Sequence, residues 1–160
     1  MFALCGASVG SLVRKKGEIQ LTGLFADGLE DRYAGEPVFS RLLELTADLL
    51  LRPRTQGGVF VPQIVMQERQ KLLDKAEYCQ TQLLRQMCCG EAYAVGRLGE
   101  AGPLAAVDEA ALWAHYQKVL ASSRAELFYL GSKPAQEVAA LLRPLLKDLP
   151  RGSCVPEIGR

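Results

Sequence analysis

The sequence predicts an α+β fold: a two-layer sandwich in which helices cover a small, mainly antiparallel sheet. Three observations point to it. Two β-capable runs, residues 2–13 and 18–28, flank the polar, glycine-containing turn Lys15-Lys16-Gly17-Glu18. Four later segments repeat apolar residues at helical spacing. A short apolar run, Glu126-Leu127-Phe128-Tyr129-Leu130, is closed by Gly131 and reads as a strand between the last two helices. The expected order is β-β-α-α-α-β-α.

Each helix carries its own signals. Asp27 to Gly35 is polar and glycine-rich and reads as a loop. Pro37 suits a first helical turn, Val38, Leu42, Leu45 and Leu49 recur on one stripe, and Pro53 ends the pattern. Gln56-Gly57-Gly58 breaks the chain, and Pro62 opens the longest helix. Its apolar stripe runs through Val65, Leu72, Ala76, Cys79, Leu83 and Met87, with Gly90 as the stop. Glu68, Arg69, Lys71, Asp74, Lys75 and Glu77 make its charged face. Residues 90–107, with Gly90, Gly96, Gly99, Gly102 and Pro103, read as an extended loop. Asp108 is placed to cap a helix carrying Leu112, Tyr116 and Val119. Pro134 starts the last helix, with Val138, Leu141, Leu142 and Leu145 inward and a kink or break expected at Pro144. Residues 1–149 are expected to form one α+β domain and 150–160 a frayed tail.

Composition narrows the function. Nineteen basic against eighteen acidic side chains leave a net charge of +1, without the basic stripe of a nucleic-acid binder. At the N-terminus the basic residues Arg14-Lys15-Lys16 follow the apolar run, the reverse of a secretory signal. No stretch approaches about 18 uninterrupted apolar residues, so a cytoplasmic chain with no membrane partner is expected. Cys5, Cys79, Cys88, Cys89 and Cys154 contain no C-x-x-C pair and read as reduced thiols packed as small hydrophobes.

Candidate chemistry is sparse. His115 is the single histidine, so no two-histidine zinc motif can be completed within these 160 residues. Set between Trp113 and Tyr116, it reads as a partly buried or boundary histidine beside an apolar stripe. Gly131-Ser132-Lys133 follows a strand and precedes a helix, but it lacks the spacing of a phosphate-binding loop. Ser11, Ser122 and Ser123 lack the G-x-S-x-G context of a nucleophile elbow; Gly6-Ala7-Ser8-Val9-Gly10 has its spacing but lies inside a β-capable run, not at a strand-to-helix turn. Glu68 and Asp74 sit about 120° apart on the helix, which suits a solvated face better than an acid–base pair.

Several stretches taken in order resemble the insulinase/pitrilysin family of zinc metallopeptidases. They are Lys15-Lys16-Gly17-Glu18, Asp31-Arg32-Tyr33-Ala34-Gly35, Leu51-Arg52-Pro53 with Gly57-Gly58-Val59-Phe60, Gln67 to Leu73, and Leu84 to Tyr93. Gly96 to Glu100, Val107-Asp108, Leu112, Tyr116 and the run ending Leu130-Gly131 continue the pattern, so the resemblance covers roughly residues 4–147. Within the family, Met87-Cys88 with Gly90-Glu91-Ala92-Tyr93 is similar to a bacterial group linked by name to modification of elongation factor P.

The resemblance implies a partial metallopeptidase half-domain. In the family, the helix bearing H-x-x-E-H, with two zinc ligands and the general base, precedes the hairpin that opens this sequence. The remaining ligand, a glutamate two turns after the pair matched to Glu68-Arg69, corresponds to Lys75, with Asp74 beside it. A protonated lysine has no lone pair for zinc and repels it. The resemblance therefore implies no catalytic, cofactor-binding or metal residue in this chain, only a vestigial position at Glu68, Asp74 and Lys75. Zinc belongs to intact members; no cofactor is expected here.

The leading expectation is a non-catalytic structural or substrate-binding half that pairs with an active, homologous peptidase-like subunit, or associates with itself, and faces a peptide or protein substrate. One alternative is the C-terminal part of the catalytic domain of a zinc endopeptidase whose H-x-x-E-H helix lies upstream. Another is a generic α+β protein-interaction domain.

Overall fold

A computed structural model describes residues 4–16, 19–76, 83, 86–91, 94, 98–150 and 152. Among these it contains β1 (Ser8–Lys16), β2 (Ile19–Asp27), α1 (Asp31–Ala34), α2 (Val38–Leu51), β3 (Thr55–Gln56) and β4 (Val59–Phe60). There follow α3 (Pro62–Ala76), α4 (Ala101–Ala105), α5 (Glu109–Ser122) and α6 (Ala135–Leu145). The class is α+β: helices with two small antiparallel sheets, β1-β2 and β3-β4. The element order departs from the expected one at four places, each with a local cause.

The described residues divide into two compact units. The first holds residues 4–11, 24–53 and those described from 116 onward; the second holds 12–23 and 54–115 as far as described. In the first, Ala7, Val38 and Leu42 form the buried centre, with Leu4, Val9 and Ala34 packed on it. Gly28 closes this centre because a Cβ there would lie 3.1 Å from the Ala7 methyl and 3.3 Å from Leu42 Cδ2. At the base of the hairpin the Ser8 hydroxyl donates to Asp27 (2.6 Å), and the Phe25 ring lies over Gly10 where a Cβ would stand.

α2 buries Val38, Leu42 and Ala47, whereas Leu45 (36% exposed) and Leu49 (48%) face outward. The expected stripe is corrected by about half a turn beyond Leu42. Beyond Leu42 the buried residue is the small Ala47, and α2 packs against α6. α6 begins after Pro134, buries Val138 and ends at Leu145. Pro144 thus sits in the last turn and terminates the helix instead of kinking it. The loop expected at 27–35 contains the one-turn α1, closed by Gly35 at φ 71 in the left-handed region.

The second unit is built around α3, which packs against α4 within the stretch expected to be a loop. Val65 is buried, and Arg69 donates from its guanidinium to the Val107 carbonyl (2.8 Å). The break expected at Gln56-Gly57-Gly58 is a tight hairpin. Thr55 pairs with Phe60 and Gln56 with Val59, while Gly57 and Gly58 take φ 63 and 85. A two-residue turn with both central residues at positive φ is the one that matches strand twist. Phe60 stacks edge-on against Trp113, centroids 5.1 Å apart. α3 is described to Ala76; beyond it Leu83 and Gln86–Met87 are helical, and Gly90 at φ 88 stands where the stop was expected. Cys79 and Glu77 lie outside the described residues, as do Cys154 and most of the expected tail.

The strand expected at Glu126–Leu130 does not form. Residues 124–130 carry no regular secondary structure and join neither sheet. A strand requires a hydrogen-bonded neighbour, and composition alone supplies none.

Candidate functional site

α3 presents Glu68, Asp74 and Lys75 to solvent. Glu68 is engaged by Lys71 one turn along (2.6 Å), and Asp74 accepts from the Gln70 amide (2.8 Å). These pairings along one helix make a solvated charged face of small energetic weight. His115 is exposed on α5, further out than the boundary position expected for it. Among the described residues no three His, Cys, Asp or Glu side chains are grouped so as to hold a metal ion. Beside Glu68 and Asp74 on α3, Lys75 adds a positive charge that opposes a zinc ion at this face.

The described thiols Cys5, Cys88 and Cys89 are free. Cys5 lines a shallow, open depression with Gly6, Asp27, Gly28, Leu29 and Glu30. Its thiol donates to Glu36 Oε1 (3.3 Å), and that hydrogen bond, followed by desolvation and the carboxylate's charge, holds its pKa above the ordinary thiol value. A nucleophilic cysteine needs the opposite shift. The hydrogen bond to Glu36 thus works against activation of Cys5 as a nucleophile.

The most connected polar cluster was not foreseen. Lys133 Nζ lies 3.1 Å from both Asp31 Oδ2 and Glu137 Oε1, and 5.7 Å from the centre of the Phe39 ring. The other Asp31 oxygen accepts from the Phe39 backbone N–H (2.9 Å), capping the start of α2 from a distance. That N–H, then Lys133, pulls the Asp31 carboxyl below its ordinary pKa against a desolvation penalty; Glu137 and Asp31 raise that of Lys133. Tyr129 accepts from the Lys133 N–H (3.1 Å) and packs edge-on against Phe39 at 5.4 Å. The Gly131-Ser132-Lys133 turn is thus spent on holding α1, α2 and α6 together, with its ammonium already neutralised. Lys133 and Glu137 are four residues apart on a helix start, a readable signal; Asp31 had none.

The chain is 25% identical over 154 residues to a protein of Bacillus subtilis (strain 168) named as the probable inactive metalloprotease YmfF. The match takes in 90% of this chain and 36% of that protein. The crystal structure of a conserved protein from Enterococcus faecalis V583 is similar with a TM-score of 0.79 and 26% identity, over 98% of this chain and 39% of that one. The chain thus spans little more than a third of the length of either relative. No protein-family profile matches it. The likeness to a metalloprotease-like, inactive protein stands at that coarse level, and no helix among the described residues is long and apolar enough to cross a membrane.

Proposed function

We propose that this chain is a non-catalytic, metallopeptidase-like domain of the insulinase/pitrilysin type, in the subgroup named for elongation factor P modification. It acts in the cytoplasm as a structural or substrate-binding half that pairs with an active, homologous peptidase-like subunit. The observation that carries the reading is the state of α3. At the place where the resemblance puts a zinc-ligating glutamate stands Lys75, exposed, with Glu68 and Asp74 engaged along their own helix. The single histidine adds support, because His115 cannot complete H-x-x-E-H within these residues. So does the relative described as inactive.

In this role the chain performs no bond-breaking step. Its contribution is surface: a peptide held in a chamber needs walls as well as a metal, and a half freed from ligating zinc can supply them. The test is zinc content by elemental analysis after loading and dialysis of the purified chain, together with peptide hydrolysis. Retained zinc far below one ion per chain and no hydrolysis are expected. One tightly held ion per chain, lost in a Glu68→Gln or Asp74→Asn variant, would overturn the reading.

A further inference from the structure

Cysteines that pack as small hydrophobes are expected from the sequence, and Cys88 and Cys89 depart from it. Gln86 and Met87 are helical, and residues 88–90 leave the helix as a turn. The Glu91 N–H donates to the Cys88 carbonyl (3.0 Å), and Gly90 takes φ 88. A four-residue turn with its third residue at positive φ is of type II, and glycine is the residue that position favours. The two cysteines fill its first two positions. Cys89 is exposed, Cys88 is partly buried, and both are free thiols. Met87, Gly90 and Glu91 beside them are open to solvent as well.

Two adjacent thiols can be joined directly or through a third atom. Consecutive Cα atoms stand about 3.8 Å apart, closer than the about 4.4 Å at which ordinary disulfides begin, so an S–S bond would strain the turn. An atom set between the sulfurs lengthens the bridge and removes that strain. Sulfur ligands select soft centres, and trivalent arsenic with two exchangeable positions is such a centre. The hydrogen-bonded turn already fixes the backbone that carries both side chains. Closure therefore costs rotation of two short side chains and little backbone order.

We infer that Cys88-Cys89 is a dithiol chelation site for organic trivalent arsenicals. With phenylarsine oxide two As–S bonds form, and the two thiol protons leave with the arsenic-bound oxygen as water. Arsenic stays trivalent, so neither an oxidant nor a reductant takes part. The reagent is uncharged, and the Glu91 carboxylate does not repel it. Cys5 offers a single thiol, already donated to Glu36, and cannot chelate in the same way. The site is independent of zinc and of any active subunit.

The test is titration of the reduced full chain with phenylarsine oxide, read by intact mass and by loss of titratable thiols. One phenylarsenic group per chain and the loss of two thiols are expected. Excess 2,3-dimercaptopropanol strips the group, and glutathione at equal thiol concentration leaves it bound. Cys88→Ala and Cys89→Ser each weaken uptake by about 10²–10⁴-fold, because the second bond is then no longer intramolecular. Cys5→Ala, Cys79→Ala and Cys154→Ala leave it within about twofold, as independent sites do. Far-UV circular dichroism checks folding, and exposed Cys89 keeps the test decisive if Cys88→Ala does not fold. No uptake overturns the proposal. So does uptake that survives Cys89→Ser, that needs Cys5, Cys79 or Cys154, or that glutathione reverses.

Discussion

The two units solve the problem of staying folded by different means. In the first, Ala7, Val38, Leu42, Ala47 and Val138 are buried and polar contacts decorate that core. In the second, Val65 is the buried hydrophobe among the described residues, and order comes from Arg69 on the Val107 carbonyl, Phe60 on Trp113 and the glycine turn at 57–58. Burial of apolar area acts over many atoms at once, whereas a single hydrogen bond adds about 0.5–1.5 kcal/mol net. The first unit should therefore be the more stable of the two. The second should respond more sharply to loss of individual polar contacts.

That contrast can be broken most readily at Leu42. Leu42→Ala opens space beside Val38 and Ala7 and should cost about 2–4 kcal/mol in a urea titration. A loss below about 1 kcal/mol would mean the first unit's core is not what holds it. In the second unit, Val65→Ala removes fewer carbons from a thinner core and should cost about 1–2 kcal/mol by the same titration. Parity with Leu42→Ala would erase the distinction.

Asp108 sharpens the comparison on the polar side. Its carboxylate accepts from the Ala111 N–H at 2.7 Å at the start of α5, as the sequence leads one to expect. Asp108→Ala should cost about 1 kcal/mol, with faster amide exchange in the first turn of α5. The smallest effect is a pH response in the first unit. Asp31 has a lowered folded pKa, so its contribution is present above the unfolded value of about 3.9 and fades as pH falls through the folded one. Asp31→Asn should flatten that acid limb of the stability curve while leaving its shape near neutrality unchanged. An acid limb of unaltered steepness would assign the response to other carboxylates.

How far the sequence could be read follows the range of the forces involved. The β1-β2 hairpin, the Asp108 cap, and the starts of α2, α3 and α6 rest on neighbours in the chain, and all were legible. The facing of α2 was legible through Val38 and Leu42 and not beyond, because Leu43, Leu45, Leu49 and Leu50 leave several apolar stripes open. β3-β4 was hidden by brevity, although the glycine pair that closes it was in plain view. α4 was masked by Gly102 and Pro103, residues that mark loops more often than helices. The segment 126–130 failed for the opposite reason: its composition is that of a strand, and a strand is a relation between two segments. At the candidate site, the solvated face of α3 was readable from charge spacing, and the meaning of Lys75 from resemblance alone. The Asp31–Lys133–Glu137 cluster joins residues about a hundred positions apart, and no local pattern encodes that.

The contact between Cys5 and Glu36 has a consequence for reagents. A thiol whose proton is shared with a carboxylate is a poor target for alkylation at mildly alkaline pH, however open it is to solvent. Cys5 should take up iodoacetamide slowly in the folded chain and faster once Glu36 is replaced by glutamine. Its exposure makes it reachable; its neighbour makes it patient.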